Sequence, residues 1–403
     1  MLIGSQIEST SRRGQTGMGI SSFTKLGKLG SVKSLRGSPP PVAIDFGVHA
    51  LKAIQLSGTE NPSLIAVAQL DTPEGLLEDP AGRLRFQIET LPKLIRSGGF
   101  NSQRAVFSIP AAQMFCKHLQ VQRIEGVKLG DMVSATLAQQ MECDPKALLV
   151  RHAAVRDVSP GKTEIVCFAS ARRLVEQLMG AVKAAKLNPV GVHTEIHAVL
   201  ESTPSNVKDD DAPVLAHIDL GHGTTKVVIA RGKQILFARV VPFGGIRLDQ
   251  AVARQTQLSI EKAHERRVAL TSYSKAPANQ PVPATAGESF SATGTKYVAQ
   301  TETTFDLSEP LEIFADELRM CMRYHRSLSP TEAIERIVFT GGESKHEALC
   351  AHLAESLRMP AQVADPMARI GRSGKEPVSG LTLSESQPGW SVAVGLALSP
   401  TDL

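Results

Sequence analysis

Two stretches of this chain spell the same short unit, and that repetition constrains the fold more than any other feature. IDFGVHALKAIQL begins at Ile44 and IDLGHGTTKVVIA at Ile218. Laid together without gaps, they coincide at Ile44/Ile218, Asp45/Asp219, Gly47/Gly221 and Lys52/Lys226. Composition predicts about one chance identity over such a length, so four with the same apolar flanks suggest an internal repeat. Each copy reads as strand, turn, strand: an apolar run, an aspartate at its end, glycine in the turn, then a second apolar run.

Glycine permits a tight turn whose amide hydrogens converge, a nest suited to phosphate oxygens. Gly47 supplies it in the first copy. In the second, Gly221, Gly223, Thr224 and Thr225 add close approach and two hydroxyl donors. An aspartate just before such a turn is placed to hold Mg2+, through water because this ion keeps its hydration shell. Asp45 and Asp219 are the metal candidates, with the repeated Lys52 and Lys226 beside them. Two such hairpins facing across a cleft would clamp a nucleotide's phosphates and metal from both sides. Either copy alone reads as an ordinary β-hairpin whose Asp and Gly serve only the turn. Their repetition is what favours the clamp.

A third element is ERIVFTGGESKHEALCAHLAESLRMP. Ile337–Thr340 is a buried-strand pattern and Gly341-Gly342 a turn. Ser344 is the expected N-cap, with Glu347 three residues on as a capping box, and Leu349, Leu353 and Leu357 line one helical face. A Gly-Gly pair between strand and helix lets a flat base or sugar approach the backbone closely. A plain strand-turn-helix connection would use the same residues.

Strand-like runs (VAIDF, RAVFSIP, TEIVCFAS, VLAHIDL, TKVVIA, ERIVFT) alternate with helical ones, which means an α/β architecture. Residues 1–40 stand apart as a basic, Gly- and Ser-rich tail that reads as disordered. Its apolar residues recur every third position, so they wind around a helix instead of forming one stripe. A second low-complexity stretch, 271–308, reads as a disordered insertion within a domain. No apolar run approaches the ~18 residues of a membrane-spanning helix. Cys116, Cys143, Cys167, Cys321 and Cys350 are odd in number and never paired as CxxC. They argue against a disulfide framework or zinc ribbon, and for a reducing cytoplasm. Aromatics at 4% and a net charge of +4 exclude nucleic acid as a main partner.

Two DxG hairpins followed by a late GG–helix resemble the actin-like ATPases. Within that superfamily the chain from about Pro41 to Leu398 most closely resembles the PilM proteins of type IV pilus assembly. The matching stretches are VAIDFGVHALKAIQL, RAVFSIPAAQMF, HIDLGHGTTKVVIARGKQILFARVVPFGG, LEIFADELRMCMRYH, ERIVFTGGESKHEAL and VAVGLALSP. The resemblance implies an actin-like, two-lobed α/β fold. Lobe one would cover 41–200 with a small inserted subdomain at about 109–187. Lobe two would cover 214–364, and 365–403 would return to lobe one. It implies ATP and Mg2+ as ligands, with nucleotide binding favoured over efficient hydrolysis. Glu195, on the helix joining the lobes, would be the catalytic water-orienting residue. The family's Glu and Lys on the helix spelled IEKAHERR are His264 and Arg267 here, so Glu265 and Arg267 become the expected adenosine contacts, together with Gly341 and Gly342.

By the same resemblance, the protein is cytoplasmic and sits at the inner face of the membrane through a partner. That partner would be the N-terminal cytoplasmic peptide of a PilN-like bitopic inner-membrane protein, held in a groove beside the inserted subdomain. Self-association into rings stays open, and no membrane insertion of its own is expected. Two rivals are an FtsA-like cell-division filament protein, which would end in an amphipathic membrane helix, and a small-molecule kinase of the superfamily, which needs a substrate-facing aspartate. PGKT (160–163) lacks the first glycine of a P-loop and precedes a strand, so it reads as a hairpin turn. His193 and His197 have metal-ligand spacing but no evident third ligand.

Overall fold

Val42–Phe46 is buried at every position, the mark of a strand covered on both faces. The computed structural model describes residues 39–203, 211–270, 273 and 305–401, and this strand is β1. Along the chain follow β2 (Ala50–Ser57), β3 (Ser63–Asp71), α1 (Pro80–Ser97), β4 (Arg104–Ile109), β5 (Phe115–Gln122), α2 (Leu129–Gln140), β6 (Leu148–Ser159), β7 (Lys162–Ala171), α3 (Arg172–Ala184), β8 (Asn188–Thr194) and α4 (Glu195–Ser202). After these come β9 (Val214–Leu220), β10 (Thr225–Arg231), β11 (Gln234–Val241), α5 (Gly245–Thr256), α6 (Ile260–Val268), α7 (Ser308–Leu328), β12 (Arg336–Thr340), α8 (Glu347–Leu357), β13 (Ala361–Val363), β14 (Val378–Ser379) and α9 (Ser391–Leu398).

The first sheet has the order β14-β3-β2-β1-β4-β8 and the second β11-β10-β9-β12-β13. Both repeats fold as antiparallel hairpins, β1–β2 and β9–β10, each joined along its first strand to a parallel neighbour, β4 or β12. Alternation places Val42, Ile44 and Phe46 against Leu91 and Leu94 of α1 and Leu178 and Val182 of α3. On the opposite face, Ala43 packs with Ala198 of α4 and Val394 and Leu396 of α9. In the second sheet Ala216, Ile218 and Leu220 face the core made by α5, α7 and α8. At about 25 cal/mol per Å2 of apolar surface, these layers are the main source of stability.

A third sheet, β5-β7-β6, lies between two covers. Val133 and Leu137 of α2 pack on one face with Leu119 and Ile165. Val166 and Phe168 on the other meet Val228, Ala230, Ile235 and Ala238 of the second sheet. The inserted unit ends sooner than expected. The part beyond Ala171 is α3 and belongs to the first sheet's layer, because its Leu178, Ala181 and Val182 are apolar at helical spacing and face that core.

Most of the expected tail and of the expected insertion lies outside the described residues. Pro39 and Pro40 are anchored, their carbonyls accepting from Ser102 Oγ and Gln55 Nε2. The insertion's last residues are also built in: Leu307 is buried in the second core and Phe305 packs against it.

Helices α4 and α9 cross where the chain passes between the sheets. A Cβ on Gly395 would stand 1.7 Å from the Ala198 carbonyl oxygen, so only glycine allows that approach. No helix of the described residues is long and apolar enough to cross a membrane.

Candidate functional site

The two repeated turns meet. A Cβ on Gly223 would lie 3.1 Å from Val48 Cγ2, so the turn after β9 touches the turn after β1. Each is tight because of its glycine. A Cβ on Gly47 would come within 2.9 Å of the Ala50 carbonyl, and one on Gly221 within 2.6 Å of the Thr224 carbonyl. Gly221 N–H closes the second turn on Thr224 O at 3.1 Å, and Gln87 Nε2 fixes the first by donating to Gly47 O at 2.7 Å. Gly341, at φ +92°, passes over Leu220, while a Cβ on Gly342 would meet nothing within 4 Å. Together they enclose a cleft of about 380 Å3, a size suited to a small ligand.

Its floor is charged. Asp219 Oδ1 pairs with Lys226 Nζ at 2.6 Å, and Lys226 also reaches Glu195 Oε2 at 3.0 Å. Asp219 Oδ2 accepts from Ser391 Oγ at 2.5 Å and Thr340 Oγ1 at 3.3 Å. Burial pushes its pKa up, but Lys226 and these donors win and hold it below the usual carboxylate range. Among the described residues Asp45 accepts only from Ser108 Oγ, at 3.3 Å. Burial, then the nearby Glu195, raises it to about 7. Glu195 Oε1 takes the Ala111 N–H at 2.8 Å, so α4 opens with its first carboxylate directed into the cleft. Lys52 Nζ donates to Gly389 O at 2.5 Å and lies 5.5 Å from the centre of the Trp390 ring. Burial lowers its pKa.

Asp45, Gly47, Lys52, Glu195, Asp219, Gly221, Gly223, Thr224, Lys226, Gly341 and Gly342 all line this one cleft. Three expected contacts do not. Thr225 is fully buried and its hydroxyl donates to Phe243 O at 2.8 Å, because it is the first residue of β10 and its side chain faces the sheet's interior. Glu265 is exposed on α6. Arg267 is fully buried, with Nε on Asp249 Oδ1 at 2.5 Å and Nη2 on Glu343 Oε2 at 2.7 Å. It works as an internal tie. Ser344 does not cap α8: its hydroxyl donates back to Thr340 O, in a short 3-10 turn that delays the helix to Glu347. The expected hairpin turn forms at Pro160-Gly161, with Gly161 at φ +76°, and Lys162 and Thr163 already belong to β7.

Sequence reasoning missed His49, His222, Trp390 and Ser391 and treated His264 only as a replacement, yet all five line the cleft. A signal existed for the tryptophan, which is the chain's only one and 1% exposed. For the histidines there was position: His49 and His222 sit in the repeated turns themselves.

A magnesium-bound nucleotide fits this set. On the floor Asp45, Asp219 and Glu195 outnumber Lys52 and Lys226 by one, with Glu343, Arg83 and Lys345 on the walls, and that local excess falls on Asp45, whose carboxyl is raised to about 7. A cation relieves that excess where a bare triphosphate would add to it. Among the described residues no three His, Cys, Asp or Glu side chains converge as a metal site.

The family profile described as type IV pilus assembly protein PilM matches residues 43–274. That of cell division protein FtsA matches residues 216–395. No curated protein matches the chain. Among solved structures, the PilM-PilN type IV pilus biogenesis complex is similar at 21% identity and a TM-score of 0.68, over 89% of this chain and 98% of that one. That likeness gives the fold, which is actin-like. Weaker likenesses include the ethanolamine utilization protein EutJ from Carboxydothermus hydrogenoformans (14% identity, TM-score 0.44, 89% of each chain). Another is MreB5 of Spiroplasma citri bound to ADP (12%, 0.45, 89% of this chain and 94% of that one).

Proposed function

The chain belongs to the type IV pilus assembly protein PilM family, and from that premise we propose that it binds Mg-ATP between its two repeated turns and docks a PilN-like inner-membrane partner. The single observation that supports the nucleotide is Asp45, which makes no ion pair among the described residues, facing the paired Asp219 across one cleft. In this reading the Gly223 amide and the Thr224 hydroxyl take phosphate oxygens. Lys52 and Lys226 balance their charge, and Asp45 holds the metal's water. Bound Mg2+ supplies neutralisation of the phosphate charge. Gly342 leaves room for the sugar or base.

Glu195 would be the residue nearest to a water-orienting role. Both its oxygens are already engaged, one by Ala111 N–H and one by Lys226, which supports binding over efficient hydrolysis. Calorimetry tests the site. Asp45→Asn should weaken Mg-dependent ATP binding by about 1–3 kcal/mol, the scale of a charge-assisted contact. Equal Mg-ATP affinity in both proteins removes Asp45 from it.

Docking belongs beside the inserted sheet, whose outer strands β5 and β6 offer edges to an extended peptide. The PilM-PilN complex is the relative that motivates it. Such a protein would reach the inner face of the membrane through its partner. An N-terminal PilN-like peptide should bind with roughly micromolar affinity, about 8 kcal/mol. Phe115→Ala, at the sheet's half-buried edge, should weaken it and leave ATP binding intact. No binding by any such peptide overturns the docking.

A further inference from the structure

The first sheet has a second edge, opposite the cleft. Strands β1, β4 and β8 run parallel, and Asp45 and Glu195 stand at the ends that face the cleft. The starts of the three strands therefore form the far edge, and α1 and α3, which run back along the sheet, finish there. Asn188 N–H donates to Gln103 O at 2.5 Å, which joins the segments that follow the two helices. Lys93 and Arg96 close α1, and Lys183 and Lys186 lie at the end of α3. All four are exposed, and none is held in an ion pair among the described residues.

A later stretch adds to the same edge. Gly371 O accepts from Leu64 N–H at the start of β3, and a Cβ on Gly99 would stand 2.6 Å from Pro377. Arg372 and Lys375 lie between those contacts and are exposed. Two acids share the edge. Glu60 is in the turn after β2, and Glu376 is engaged by the Ser373 and Gly374 amides. Glu89 stands a turn back from Lys93 on α1.

The first 38 residues join the body at this edge, since Pro39 and Pro40 are tied to Ser102 and Gln55. They hold Arg12, Arg13, Lys25, Lys28, Lys33 and Arg36 against Glu8 alone. The whole chain carries +4, so everything after residue 38 sums to −1. Positive charge is gathered at one end of a body that is otherwise slightly acidic.

We infer that this edge and the tail that leaves it rest together on an anionic phospholipid bilayer. A flat, diffuse negative surface takes a diffuse positive one without pockets, and each Lys or Arg near it is worth about 5-fold in affinity. A protein partner needs apolar anchors at the centre of its contact. None of the exposed large hydrophobics of the described residues is on α1 or α3, or at the start of β1, β4 or β8. A single-stranded nucleic acid needs stacking platforms, and Phe23 is the tail's one aromatic residue. The contact is electrostatic, without insertion, and it leaves the cleft at the other end of β1 open. It depends on neither the nucleotide nor the partner peptide.

Flotation of the full-length chain with vesicles tests it. The protein should bind phosphatidylglycerol–phosphatidylcholine vesicles and leave phosphatidylcholine alone. Affinity should fall at least about 10-fold between about 0.1 M and about 0.5 M salt, as the screening length shortens. Changing the tail's six Lys and Arg to Gln should cost about 100-fold or more. Lys93→Gln, Arg96→Gln, Lys183→Gln and Lys186→Gln together should cost about 10-fold or more. Lys93→Gln with Lys186→Gln gives the same readout, smaller, should the fourfold variant fail to fold. Arg247, Arg254, Arg323 and Arg326, exposed on the second lobe, supply the control. Changing these four to Gln alters net charge equally and should move affinity less than about 2-fold, because they lie beyond the screening length from the surface. Equal losses in the two fourfold variants overturn the proposal, as does an edge variant that binds like the unaltered chain. Equal binding to both vesicle types, or tighter binding at the same salt to a DNA duplex or to polyglutamate, overturns it as well.

Discussion

The two repeated hairpins share a register and differ in what their lysines do with it. Asp45 lies opposite Lys52 in β1–β2, and Asp219 lies opposite Lys226 in β9–β10. Lys226 turns onto its own aspartate and on to Glu195. Lys52 turns away, to the Gly389 carbonyl and the Trp390 ring. One copy is thus a finished ion pair reinforced by Ser391 and Thr340, and the other leaves an acid that makes no ion pair among the described residues and feels its lysines only at a distance. A repeat conserves backbone geometry well and electrostatics poorly, because the counter-ions arrive from distant parts of the chain. Fold and chemistry therefore separate within a single molecule.

Three measurements bear on this asymmetry. The largest effect should come from the lysines. Lys226→Met leaves Asp219 and Glu195 buried without their cation and should destabilise by about 3–5 kcal/mol in denaturant unfolding. Lys52→Met loses one bond to a carbonyl, about 1 kcal/mol. Equal losses would mean the copies are electrostatically alike.

Next come the aspartates, which should shift stability in opposite directions. The folded Asp45 pKa, near 7, is above its unfolded value, so the folded state binds the extra proton between about pH 4 and pH 7. Stability is therefore lost as pH rises through that window. Asp45→Asn should remove the loss and raise stability near pH 8 by about 2 kcal/mol. Asp219 is held low, so its contribution is present above its unfolded pKa and disappears as pH falls through the folded one. Asp219→Asn should destabilise at pH 8 and flatten the acid limb. Melts of both variants across pH decide it, and shifts of one sign would break the contrast.

The smallest effect sharpens the second turn alone. Thr225→Val removes a buried bond to Phe243 O and should cost about 1 kcal/mol of stability with nucleotide affinity unchanged. Thr224→Val, one residue earlier and on the cleft, should lower affinity and leave stability nearly alone. Swapped outcomes would mean that the turn's register has been misread.

What the sequence made legible was local. Alternating apolar residues and turn glycines marked both hairpins, and the Gly341-Gly342 pair marked the cleft's far wall. Side-chain direction was less accessible. On α6 one residue is a rotation of about 100°, enough to send His264 to the cleft and Glu265 to solvent. Arg267 is on the side that faces inward, but its partner Glu343 is 76 residues away, so its burial could not be read from its own helix. Thr224 and Thr225 look equivalent as letters, yet the start of β10 separates them. The edge of the inserted unit was missed for a similar reason: α3 follows β7 without a break in the chain, and only packing assigns it to the first sheet.

The close crossing of α4 and α9 carries a mechanical consequence. The chain passes from the first sheet to the second through α4, and α9 lies across that passage with Gly395 against Ala198. Two rods touching at a point without a side chain between them make a bearing: they permit rotation about the contact and resist separation. Ser391, at the start of α9, is bonded to Asp219 on the cleft floor, so that bearing is geared to the ligand cleft. The β5-β7-β6 sheet packs on α4 itself through Ile196 and Leu200, either side of Ala198, as well as on the second sheet, so any turn about the contact is passed straight to it.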